Sequence, residues 1–405
     1  MKTWDSKTPA LRVIALSMAV LAGYVTVLST GPVAANVRLT QIVPGNATFW
    51  YSILAASGAL TAAVAFVWFG RLSNRIVRAG GSRRYVFLYA ALALAPIGWL
   101  ISIADSLPMI LILWCLMQLP AAAILSAGTA MALERLPQKH LALVSSLFGA
   151  GAVLAILYGV LIGTLTDNHP ERVLLIGSAT AVALALPAGF MRDETNTVAV
   201  LDEVKPKARV SRSFISFLIA TTSSLAVSAM ANDYFFQLSS RIDGLKLAEA
   251  ASLSQRLFAT SAVAFLVSTL LLGVLGLGAP KSRRVFALSL AVSAFGLVVL
   301  ALSKSPETLV FGAVLIGVGT GANTAVQFPV LRGIFASNHE LGSQAGLFNM
   351  VGVLPSIAVP AFGALLVVGF GQTWPIILGF SIATLCLVAG LLFVISGERF
   401  GAKHA

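Results

Sequence analysis

The stretch Phe69–Tyr85, FGRLSNRIVRAGGSRRY, gathers Arg71, Arg75, Arg78, Arg83 and Arg84 without a single acid. About twenty apolar residues precede it and about twenty follow, each run long enough to cross a bilayer as a helix. A cationic loop between two such runs reads as a connection held on one side of a membrane.

The rest of the chain repeats that arrangement. Its 405 residues are 58% hydrophobic and 10% charged, and the mean hydropathy is +0.92, too little charge to cover a soluble protein of this length. Twelve apolar spans lie near 10–31, 48–69, 84–104, 107–133, 141–165, 172–191, 213–238, 252–278, 284–303, 307–331, 341–369 and 374–396. GPVAAN, at the end of the first, faintly resembles a signal-peptidase site, but the apolar run is too long for that reading and is taken as a membrane helix.

Lys and Arg fall almost entirely in alternate connections. Roughly twenty lie before span one, after each even-numbered span and at the C-terminus, against about five (Arg38, Arg172, Arg241, Lys246 and Lys304) in the others. The net charge of +12 is therefore a topology signal that places both termini in the cytoplasm of an inner-membrane protein, and not a nucleic-acid footprint. Cys115 and Cys386 lie within spans, and the four histidines lie in connections or at the C-terminus. No disulfide framework, metal site or cofactor is expected. The absence of a glycine-rich phosphate loop and of a nucleophile–base pair argues against an ATPase and against an enzyme.

The two halves look related. SRRYVFLYAALALAPIGWLIS from Ser82 and SRRVFALSLAVSAFGLVVLALS from Ser282 each follow an even-numbered span, about half the chain apart. Between them lies the polar segment Arg192–Arg212 with Pro206. The expected organisation is an all-α integral membrane protein of 12 transmembrane helices in two pseudo-symmetric six-helix halves, 1–191 and 213–405, joined by a cytoplasmic linker, 192–212.

With these residues in view, the chain resembles the major facilitator superfamily. GRLSNR followed by GSRRY is similar to that family's loop between helices two and three, through Gly70, Arg71, Leu72, Ser73, Arg75, Arg83 and Arg84. Asn74 departs from it, standing where the family carries an acid that caps a helix of the opposite half and latches the cytoplasmic side. An asparagine still accepts a hydrogen bond there but loses the charge contribution of about 0.3–1 kcal/mol. Glu134 is expected to compensate by pairing with Arg71 or Arg75.

Two further segments are similar to actinobacterial sugar-symporter-like members of the glycoside–pentoside–hexuronide kind. LWCLMQLPAAAILSAGTAMALERLP carries Trp114, Gln118, Glu134, Leu136 and Pro137, and LGSQAGLFNMVGVLPSIAVPA carries Asn349, Leu354, Pro355 and Pro360. The resemblance implies a secondary transporter of a small organic solute, sugar-like by branch, working by alternating access.

Polar side chains inside the spans are the candidate site. Trp114 and Gln118 share a face of span four, with the ring and amide that suit a sugar. Tyr24, Asn232, Tyr234, Asn323, Gln327 and Asn349 are further candidate substrate contacts. The alternative for each is a hydrogen bond that fastens helices. Asp233 is the one acid well inside an apolar span, and Arg256 lies within reach on span eight. The pair reads as a proton switch or as a structural ion pair near the headgroups. The expected partners are a small-molecule substrate, the lipid bilayer and a coupling proton, with the protein a monomer. Two other readings stay open: export of lipophilic or drug-like compounds, and a non-transporting assembly factor or sensor.

Overall fold

The computed structural model describes residues 8–43, 47–167, 169–190, 212–242, 245–334, 341–370 and 374–401. The linker expected at 192–212 falls outside them except for Arg212. The described residues form helices joined by short turns, and twelve of the helical stretches are long and apolar enough to cross a membrane. The chain is a multi-pass membrane protein.

The first span is longer than its sequence suggests. α1 (Thr8–Tyr24) passes through a π-helical stretch, Val25–Thr30, into α2 (Gly31–Ile42). Gly31-Pro32 does not end the helix, because proline is tolerated in the first turn of the segment it opens. Arg38, expected in a connection, therefore lies on α2, and its Nε donates to the carbonyl of Ala104 at 3.0 Å.

The other helices are α3 (Ala47–Arg78), α4 (Arg84–Ser102), α5 (Leu107–Arg135), α6 (Gln138–Leu165), α7 (Pro170–Phe190), α8 (Arg212–Ser239), α9 (Leu247–Leu275), α10 (Ala279–Leu302) and α11 (Pro306–Ile334). Span eleven breaks at Pro355 into α12 (Leu341–Val353) and α13 (Pro355–Phe370), since proline supplies no N–H to the preceding turn. α14 (Trp374–Gly401) is the last.

The chain divides into two compact units. One comprises Met1–Leu136, Gly151–Arg209 and Asn338–Met350; the other comprises Pro137–Ala150, Val210–Ser337 and Val351–Ala405. The start of α6 belongs to the second unit and the start of α12 to the first.

In the first unit α5 is the most enclosed helix, and in the second α11 is, each two-thirds buried along its span. Both are rich in small residues where neighbours press closest, Ala121–Ala123 and Ala127–Ala130 on α5 and Gly317–Ala322 on α11. In a bilayer, where lipid is as apolar as leucine, close backbone approach and dispersion replace the hydrophobic effect as the source of packing.

Candidate functional site

The arginine loop is built as a closed cluster in the first unit. α3 ends at Arg78, and the chain reverses through Gly80, whose φ of 76° suits a residue without Cβ. The turn folds Arg83 back beneath α3, so that its side chain is 2% exposed. There it donates to Ser73 Oγ (2.6 Å), Asn74 Oδ1 (3.1 Å) and Glu134 Oε1 (2.5 Å). Arg84 stacks on Tyr85.

Glu134 thus pairs with Arg83, and not with Arg71 or Arg75 as the sequence suggested. Those two arginines lie on the exposed side of α3 while Arg83 points inward, an orientation that the loop's reversal sets and that spacing along the chain conceals.

Asn74 is 5% exposed, and its Oδ1 also accepts the backbone N–H of Gly342 at 3.0 Å, while its Nδ2 donates to Ser343 Oγ at 3.4 Å. Gly342 lies in the first turn of α12, where N–H groups lack intrahelical partners. Asn74 therefore caps α12 from another helix, as an asparagine can.

Three glycines make this approach possible. A Cβ on Gly70 would come within 2.5 Å of the Gly342 carbonyl and 3.0 Å of Gly346 Cα, and one on Gly346 would strike the Phe66 carbonyl. Asn349, further along α12, donates to Thr129 Oγ1 of α5 at 3.3 Å.

The second unit contains the counterpart. Gly273 of α9 faces Ser146 of α6, and Ser146 Oγ donates to the Thr269 carbonyl at 2.6 Å. Ser145 Oγ donates to the Thr324 carbonyl of α11 at 2.5 Å, and Gln138 Nε2 to the Pro329 carbonyl at 3.4 Å. Here the start of α6 is fastened by its own serines and by Gln138, all bonded to backbone carbonyls. The sequence reading noted Gly342 only for its resemblance and not as a partner of Asn74, and it missed Gly346 and these serines. The spacing Gly342-x-x-x-Gly346 was the available signal.

The intramembrane candidates are dispersed. Trp114 is 5% exposed and sits in an apolar cluster with Leu54, Ile101, Ile110 and Met117, its indole against Gly58 and its Nε1 without a partner among the described residues. Gln118, one turn on, is 6% exposed. Tyr24 is half-buried beside Gly151 of α6.

In the second unit Gln327 donates to Asn323 Oδ1 at 3.0 Å, and Asn323 donates to Ser289 Oγ of α10 at 3.2 Å, so these amides tie α11 to its neighbour. Tyr234 donates to the Val359 carbonyl at 3.5 Å. Asn232 and Asp233 lie on α8, with side chains outside the described set. Arg256 is exposed and donates to Ser252 one turn earlier, at 3.5 Å.

Comparison with known proteins gives fold and no close relative. No family sequence profile matches the chain, and no curated protein matches it by sequence. Solved structures do match along nearly its whole length. They include the human organic anion transporter MFSD10 (13% identity, 95% of this chain and 98% of that one, TM-score 0.69). The E. coli fucose:proton symporter FucP also matches (10% identity, 94% and 98%, TM-score 0.70). So does a bacterial homologue of the iron transporter ferroportin in an outward-facing state (17% identity, 95% and 100%, TM-score 0.66). The chain has the fold of major facilitator transporters.

Proposed function

We propose that this protein is a secondary transporter of the major facilitator superfamily, carrying a small organic solute across the inner membrane by alternating access, as a monomer with both termini cytoplasmic. The observation that carries the reading is the cluster around Asn74. Alternating access needs a clasp that holds and then releases. Asn74 holds α12 through two hydrogen bonds between uncharged groups. Each contributes a net of about 0.5–1.5 kcal/mol, which substrate binding can offset.

The solute is sugar-like on the resemblance of the Trp114–Gln118 segment, and the fold shared with a fucose:proton symporter supports a sugar moved with a proton. In this reading Tyr24, Trp114, Gln118, Asn232, Tyr234, Asn323, Gln327 and Asn349 contact or frame the substrate, while Asp233 carries the coupling proton and Arg256 tunes it. Counterflow in proteoliposomes loaded with a panel of sugars is the test. Saturable exchange of at least one sugar is expected, and absence of any flux would leave the assembly-factor or sensor reading standing.

A second reading, export of lipophilic compounds, is favoured by an open groove of about 660 Å³ in the second unit. It is walled by Val263, Val267 and Leu271 of α9 and by Val314 and Val318 of α11, with almost no polar surface. Protection of the proteoliposome interior from a hydrophobic dye, with no sugar exchange, is the result that would favour it.

Asn74→Asp tests the clasp. A carboxylate facing the first turn of α12 and the Arg83 guanidinium adds about 0.3–1 kcal/mol to the closed cytoplasmic side. We expect slower turnover and less labelling of cysteines placed on that side. Unchanged labelling and turnover would remove the clasp from the transport cycle.

A further inference from the structure

The SRR sequence occurs twice, and the structure treats the two copies differently. In the first unit Arg83 is buried and matched by Glu134. In the second, Lys281, Arg283 and Arg284 open α10 with no acid in its first turn, and no hydrogen bond or ion pair reaches them among the described residues. Arg283 is held with its guanidinium over the Phe393 ring, 5.2 Å from its centre. Arg332, at the end of α11 that lies toward the same side, has a buried Nη1 without a partner among those residues. Of the acids of this unit whose side chains are described, Glu249 and Glu307 sit at the opposite ends of α9 and α11; the side chains of Asp233 on α8 and of Glu398 near the end of α14 lie outside the described set. Three cations at the positive end of a helix repel it and one another, so an anion there is strongly favoured.

The helix also shows which kind of anion fits. Lys281, Arg284, Leu288 and Phe295 share one face of α10, and Leu288 and Phe295 are 65% and 57% exposed. A cationic turn at a span's end, continued by an exposed apolar stripe, matches a phosphate headgroup above its acyl chain. We infer that Lys281 and Arg284 form a binding site for the headgroup of an acidic phospholipid, whose chain lies along Leu288 and Phe295, while Arg283 points to Phe393 and adds only its charge. The site needs only that the helices span a bilayer, so it stands whether or not the protein transports a sugar.

The test uses the full chain in nanodiscs of phosphatidylcholine containing a minor share of phosphatidylglycerol, with retained lipid counted by native mass spectrometry. Wild type should enrich phosphatidylglycerol about fivefold over its bulk share. Lys281→Gln/Arg284→Gln should lose that enrichment. Arg71→Gln/Arg75→Gln, which removes the same charge from the other loop, should keep it. Equal loss in both variants would mean diffuse surface charge and would overturn the site. Thermal protection by millimolar inorganic phosphate in pure phosphatidylcholine discs, equal to that given by phosphatidylglycerol, would assign the site to a soluble anion and overturn the lipid. Should the glutamine variant fold poorly, Lys281→Arg/Arg284→Lys preserves the charge and must keep the enrichment, and its loss would also overturn the proposal.

Discussion

Glu134→Ala should destabilise the protein by about 3 kcal/mol, the largest stability effect expected of any single polar substitution in the first unit. Removing one partner of a buried ion pair typically costs roughly 3–5 kcal/mol, because the other charge stays buried and unmatched. Arg83 is the charge that loses this partner: its side chain is 2% exposed and contacts Glu134 at 2.5 Å. Ser73 and Asn74 would remain as neutral acceptors. The Glu134 side chain is 26% exposed, so solvent screens the pair and places the cost at the lower end of that range.

The double variant Arg83→Met/Glu134→Leu should recover most of the loss, since apolar replacement of a whole buried pair is often neutral. Arg71→Ala, on the exposed side of α3, should stay within about 0.5 kcal/mol of wild type. Thermal unfolding in detergent for the four proteins is the measurement. A Glu134→Ala protein as stable as Arg71→Ala would show that the cluster contributes nothing to stability.

If Asp233 carries the coupling proton, as proposed, Asp233→Asn should abolish proton-driven accumulation while sparing exchange of substrate. The change keeps the shape of the side chain and its capacity for hydrogen bonding but removes the proton that a symporter must carry. Exchange moves substrate in both directions through the protonated form, which asparagine imitates; net uphill transport needs the carboxylate to release its proton inside.

The structure sharpens the companion test. Arg256 is exposed and engaged with Ser252, so Arg256→Gln should leave accumulation largely intact if Asp233 acts alone. If the two act as a pair, both variants should lose accumulation together. Uptake driven by an imposed pH gradient and counterflow at symmetrical pH, measured on the same vesicles, separate these outcomes. Accumulation by Asp233→Asn at the wild-type level would take this residue out of the mechanism.

The sequence by itself determined the twelve spans and the fold class. Span length and hydropathy answer to bilayer thickness and to the cost of unsatisfied backbone groups in lipid, and both are local properties of the chain. Where Pro355 breaks span eleven, a single residue explains the break.

The partners of the polar residues were decided only by tertiary structure. Glu134 lies closer in sequence to Arg135 than to Arg83, yet a reversal at Gly80 carries Arg83 under α3 and makes the pair. Asn74 meets Gly342 across 268 positions, because Gly70 and Gly346 let two helices approach to backbone contact. Asn323 and Gln327 are candidate substrate contacts in the sequence, and the fold joins them to each other and to Ser289 of α10. The two SRR turns read alike, but Arg83 is buried against a carboxylate whereas Arg283 is stacked on Phe393. The physical reason is the same in each case. Hydropathy is summed along a segment and survives without knowledge of its neighbours, whereas a hydrogen bond or ion pair depends on a few ångströms between atoms that only packing brings together.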